Sequence, residues 1–192
     1  DIKYIKEAGG FTDLKTFYSS DKAELKRIDA LVPGDVHVGD TDQHLVSALR
    51  SLILETKPRY VMLHDLLNGH SISHHEEEQL LLLAEKAKSG RLDLEVELSA
   101  VATFLNSLLN ISNDFTVLIA ASNHDDWLPK WLQKGRFMTQ PQNTRLGLKL
   151  ASAMLEGKNP FLEGLIDQGL DATKARRIEL LTRSGPFYVG TD

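Results

Sequence analysis

Three near-continuous apolar runs, "RIDALVPGD", "RYVMLHD" and "FTVLIAA", each break off into polar residues and are separated by stretches with helical patterning. This alternation is the strongest constraint on the fold. Short apolar runs bounded by turn signals read as buried strands. Buried strands alternating with amphipathic helices require a mostly parallel sheet flanked by helices on both faces, an α/β architecture. From Thr41, residues Leu45, Ala48, Leu49, Leu52 and Ile53 recur at helical spacing until Pro58, which predicts one helix. A second runs from about Gln79 to Lys88, and a third carries Leu94, Leu98, Val101, Ala102, Leu105 and Leu109 on one face. The later stretch "ATKARRIELLTR" reads as an amphipathic helix with a basic face.

With 192 residues, 42% of them hydrophobic, the chain can bury one sizeable core and fits one domain better than two. Residues 31–192 are expected to form it, with 1–30 as an N-terminal extension or the end of an upstream segment. No apolar run approaches the roughly 20 residues that cross a membrane, so the sequence reads as soluble and without a membrane partner. The absence of cysteine leaves His, Asp, Glu and Asn as the only metal ligands. The net charge of -5 is uneven: 12 basic residues face 19 acidic ones through Ser122, and 10 face 8 from Asn123 onward. The acidic part suits cations and the remainder suits phosphates.

In parallel sheets the ligand site lies beyond the carboxyl ends of the strands. That rule gathers three segments: "GDVH" with Asp35 and His37, "HDLLNGH" with Asp65, Asn68 and His70, and "SNHDD" with Asn123, His124, Asp125 and Asp126. Alternation along an extended chain points Asp35 and His37 the same way, so both can grip one cation. Asp65 on the neighbouring strand can bridge to a second, and Asn123 offers that second cation a neutral oxygen. Such a set suits two divalent ions, manganese above all, with iron, zinc or magnesium as alternatives.

These three segments, in this order and at strand ends, resemble the motifs of the calcineurin-like metallophosphoesterases. Within that family, "GDVHVGDTD" and "HDLLNGHSISHHE" are most similar to phage nucleases of the first-step-transfer type, which degrade DNA early in infection. The resemblance implies the family's layered fold, with Asp35 and His37 on the first metal, Asp65 bridging and Asn123 on the second. It places His124 beside the scissile phosphate, where it stabilises charge or protonates the leaving sugar oxygen. Asp125 would orient the His124 ring. The implied activity is metal-dependent hydrolysis of DNA, in the cytoplasm of the infected cell, by a chain that can form homo-oligomers.

The sequence departs from the family in several places. His64 stands where a Gly usually precedes the bridging Asp, Asn68 replaces a second Asp, and Ser122 replaces a Gly. All seven histidines lie at or before His124, so the downstream His and G-H-x-H motif are missing. The remaining ligands are expected from a segment outside this chain, making it an incomplete, N-terminal part of the full fold. The alternatives are a phosphomonoesterase or small-molecule phosphodiesterase on the same scaffold, and a catalytically inactive scaffold or oligomerisation module.

Four further residues are candidates for substrate contact: Asn68, His70, Trp127 and Lys130. Trp127 and Trp131 stand four apart beside Lys130, Lys134, Arg136 and Arg145, a mixture that can stack bases and meet phosphates. Two tryptophans at that spacing more often pack into a core. His74 and His75 are weaker ligand candidates, and the acids at 76–78 suit a helix start.

Overall fold

The computed structural model describes residues 4–7, 9–13, 16–25, 27–73, 76, 79–122, 124 and 126–181. Four short strands open the chain: β1 (Tyr4–Glu7), β2 (Gly10–Asp13), β3 (Thr16–Ser19) and β4 (Ala23–Leu25). They form an antiparallel meander in chain order. Phe11 and Tyr18 face each other in register across β2 and β3, with rings stacked at 5.2 Å, a cross-strand pair that holds such ribbons in place. The predicted N-terminal extension is therefore a small sheet of its own. Arg27 ties the following linker to the main body through hydrogen bonds to the carbonyl oxygens of Lys57, Pro58 and Asp114.

The second sheet holds β5 (Ala30–Leu31), β6 (Tyr60–Leu63), β7 (Thr116–Ala120) and β8 (Ile178–Leu181). All neighbours are parallel and their order follows the chain. β7 is buried at three successive residues, Val117, Leu118 and Ile119, as a strand covered on both faces must be. β6 instead alternates, burying Val61 and Leu63 and leaving Tyr60 and Met62 half-buried, so one of its faces is only partly covered.

Between these strands lie α1 (Gln43–Thr56), α2 (Leu80–Lys88) and α3 (Leu94–Leu109), then α4 (Trp127–Gln133), a 3-10 turn (Arg136–Thr139), α5 (Pro141–Leu155), α6 (Pro160–Asp167) and α7 (Ala172–Ala175). The helix starts follow capping chemistry: Asp42, Asp93, Asn159 and Asp171 each accept a hydrogen bond from a first-turn backbone N–H. α3 is the central helix, and every residue of its predicted apolar face is buried. α1 is packed less deeply than its spacing predicts, since Leu49 and Ile53 are buried while Leu45, Ala48 and Leu52 remain exposed. Asn143 on α5 is fully buried; its amide oxygen accepts from Leu94 N at 2.9 Å and its nitrogen donates to Leu92 O at 2.9 Å. That side chain seals the start of α3 onto α5.

The stretch "ATKARRIELLTR" is not one amphipathic helix. Asp171 caps a single turn, and Ile178–Leu181, apolar at three of its four positions, then pairs with β7 as a fourth parallel strand. Arg177 shows no basic face to solvent, because its guanidinium donates to the carbonyls of Leu109, Ser112 and Phe115. No helix among the described residues is long and apolar enough to cross a membrane.

Candidate metal centre at the strand ends

Beyond β5 and β6 the chain keeps the two segments side by side. Val36, His37 and Val38 donate backbone hydrogen bonds to His64 O at 3.4 Å, Asp65 O at 2.8 Å and Leu66 O at 3.1 Å. The Asn68 side chain adds a bond to Val38 O at 3.2 Å. Two residues of this ladder adopt left-handed backbone: His37 at φ 42° and Asp65 at φ 49°. Such conformations cost about 1–2 kcal/mol each for residues with a Cβ and persist where the surroundings impose them, often at functional sites. The turn at His37 also ends the extended alternation expected to align it with Asp35.

What gathers at this edge is a compact group of ligand atoms. His64 Nδ1 lies 3.0 Å from Asp65 Oδ2 and 3.4 Å from Asp35 Oδ1. One ligand atom from each of Asp35, His64 and Asp65 lies within 4.8 Å of the others. Asp35 is exposed, whereas Asp65 is only 8% exposed. Burial pushes the Asp65 carboxyl up, but hydrogen bonds from Ser122 and His64, with the positive potential of His124 and His64, hold it below the usual carboxylate range. Asp65 Oδ1 and His37 Nδ1 are both buried with no hydrogen-bond partner among the described residues. Leaving a buried polar atom unsatisfied costs about 1–3 kcal/mol, and a cation relieves that cost for an oxygen and an imidazole nitrogen alike.

His124 arrives from beyond β7. Its Nδ1 lies 3.0 Å from Asn68 O, and a carbonyl can only accept, so Nδ1 carries a proton and Nε2 is turned to other work. The His124 ring meets the His37 ring edge-on at 5.0 Å and stacks on Trp127 at 4.2 Å. Trp127 is held from another side by Gly69, whose φ is 70° and at which an added Cβ would sit 2.5 Å from the indole. This tryptophan wedges the histidine rather than offering an open stacking face. Its neighbour Trp131 is 2% exposed and belongs to the core, with Nε1 donating to Gln140 Oε1 at 3.2 Å.

Asp35, Asp65 and His124, together with His37, thus converge from three strand ends. Asn68 contributes a structural tie and the carbonyl that orients His124. His70 points elsewhere: its Nε2 pairs with Asp40 Oδ2 at 3.0 Å, and that hydrogen bond holds the Asp40 carboxyl below its ordinary range despite partial burial. Lys130 is exposed and pairs with Asp126 at 3.5 Å. Asn123 and Asp125, and with them His74 and His75, lie outside the described residues.

Two residues of the site are absent from the motif reading. His64 joins the two carboxylates, and an imidazole directly before Asp65 at the strand exit was the available signal. Glu97 on α3 accepts from His70 N at 2.8 Å and Ser71 Oγ at 2.6 Å, clamping the loop that carries Asn68. Burial pushes its carboxyl up, outweighing the hydrogen bonds from Ser71 and His70. Its signal was a carboxylate placed between Leu94, Leu98 and Val101 on an apolar helix face.

No protein-family model matches the chain, and no solved structure matches it. Among curated proteins, Protein A1 of Escherichia phage T5 is 26% identical over 164 residues, covering 80% of this chain and 29% of that protein. The chain therefore spans under a third of the length of this relative, and the similarity is to a phage protein.

Proposed function

We propose that this chain carries the first strand ends of a divalent-metal-dependent phosphodiesterase that hydrolyses DNA, acting in the cytoplasm of a phage-infected cell. The observation that carries this reading is the pair of buried, unsatisfied ligand atoms, His37 Nδ1 and Asp65 Oδ1, beside the Asp35, His64 and Asp65 cluster. Oxygen and imidazole donors of this kind fit manganese, iron, zinc or magnesium. Asp35, His37 and Asp65 would hold the cations, with Asn123 completing the set and His64 either ligating or fixing the two carboxylates.

When bound, divalent cations supply Lewis-acid stabilisation of the charge that develops on the phosphate. The chain's own residues do the rest. His124 presents Nε2 toward the reacting phosphate because its Nδ1–H is committed to Asn68 O. In its doubly protonated form it delivers a proton to the leaving sugar oxygen. Trp127 and Gly69 keep the ring from turning away.

The test is cleavage of plasmid DNA in manganese by the wild type, Asp65→Asn and His124→Ala. Cleavage by the wild type with a loss of roughly a hundredfold or more in both variants supports the reading, since that is the scale of losing a general acid or a bridging ligand. A small phosphoester hydrolysed while DNA stays intact would move the activity to another substrate. If neither is hydrolysed, the proposal fails.

A further inference from the structure

Two clefts lie against the end of α4 and the turn that follows it. One, of about 100 Å³, is bounded by Ile72, Trp127, Lys130, Trp131, Lys134 and Arg136. The other, of about 530 Å³, begins at His70 and Ser71 and shares Lys134 and Arg136 with the first. Both clefts are lined by these two residues, and Trp127, which lines the first, stacks on His124. The described lining residues include no carboxylate, although Lys130 pairs at 3.5 Å with Asp126 on the preceding turn, in a protein whose net charge is -5.

The local sequence explains how the cations come to line one path. Lys130 and Lys134 are four apart on and just past α4, which puts them on one face about 6 Å apart. Gly135, at φ 63°, reverses the chain so that Arg136 opens the next turn beside them. Compensation of the helix dipole accounts for lysines at this end of α4. Arg136 lies in the next element, and with Lys134 it lines both clefts.

Resting on the reading above, we propose that Lys130, Lys134 and Arg136 form a phosphate track that receives one nucleic-acid strand flanking the scissile bond. A volume of about 530 Å³ lies within the range of sites that enclose small ligands, roughly 300–1,000 Å³. A cleft of that size suits a nucleotide or two of a single strand better than a duplex. The track makes the substrate a polynucleotide and not a small phosphoester, because only a chain can occupy the metal centre and the clefts together.

The experiment is fluorescence anisotropy of a labelled oligothymidylate of about 12 nucleotides, with EDTA present so that binding is read without metal or cleavage. Wild type is compared with Lys134→Gln/Arg136→Gln, and with Lys149→Gln/Lys158→Gln as a charge-matched control at two lysines that line neither cleft. The track variant is expected to bind about tenfold more weakly, and its log affinity to fall less steeply with log salt by about 1.4, the share of two single-strand phosphate contacts. The control is expected to keep wild-type affinity. Equal weakening in both variants, an unchanged track variant, or no binding by the wild type would overturn the track, and tighter binding of a duplex would overturn the single-strand assignment. Because EDTA removes the metal from the assay, loss of binding here and loss of hydrolysis above are separate outcomes.

Discussion

Gly69→Ala probes the contact that sets His124 in place. Gly69 has φ 70°, and an alanine Cβ there would lie 2.5 Å from one indole carbon of Trp127 and 3.0 Å from another. The left-handed backbone costs a residue with a Cβ about 1–2 kcal/mol. Relieving the contact requires the ring to shift by about 1 Å, and overpacking of this kind costs about 1–3 kcal/mol. Gly157→Ala supplies the control, because its φ is 78° and nothing lies within 4 Å of the added Cβ. Urea denaturation should therefore show a loss of about 2–5 kcal/mol for Gly69→Ala and about 1–2 kcal/mol for Gly157→Ala. The indole stacks on the His124 ring at 4.2 Å, so a shift of that size is passed to the imidazole. A displacement near 1 Å in a positioned group can cost about a hundredfold in rate, so phosphoester turnover should fall steeply in the first variant alone. Equal destabilisation of the two variants, or full turnover in Gly69→Ala, would refute the wedge.

Two other perturbations follow from single side chains. Glu97→Gln keeps an acceptor for His70 N but turns an N–H toward Ser71 N, leaving a donor unmet at a cost of about 1–3 kcal/mol. Glu97 is raised by burial, so its contribution is complete below the ordinary glutamate value and is lost as pH rises through the raised one. Stability measured against pH should show the gap between wild type and Glu97→Gln narrowing across that window; a widening gap would mean the carboxylate form is the favoured one. Arg177→Ala removes the donor shared by the carbonyls of Leu109, Ser112 and Phe115. It should lower the urea midpoint by an amount equivalent to about 3 kcal/mol or more, since hydrogen bonds to charged groups are worth about 1.5–3 kcal/mol each; a midpoint unchanged from wild type would remove Arg177 as the tie between α3 and β8.

The α/β architecture and three of the four parallel strands were legible because buried strands are spelled as apolar runs with polar exits. β8 was not, since "IELL" follows two arginines and a helix cap, and only its pairing with β7 separates it from a helix end. The N-terminal meander was illegible for a related reason: four strands of three or four residues are too short for alternation to stand out. At the site, Asp35, Asp65 and His124 were legible as polar residues at strand exits. His64 and Glu97 depend on side-chain direction, which spacing alone does not carry. The turn at His37 depends on backbone pairing with Asp65, a contact 28 positions away in sequence.

The most direct test of the central claim is manganese binding itself, followed by electron paramagnetic resonance or calorimetry, in the wild type and Asp65→Asn. The account predicts that the wild type binds and that Asp65→Asn weakens binding by about 10–100-fold or more, with folding intact by circular dichroism. A wild type that takes up no divalent ion, or an Asp65→Asn variant that binds as well as the wild type, would contradict it.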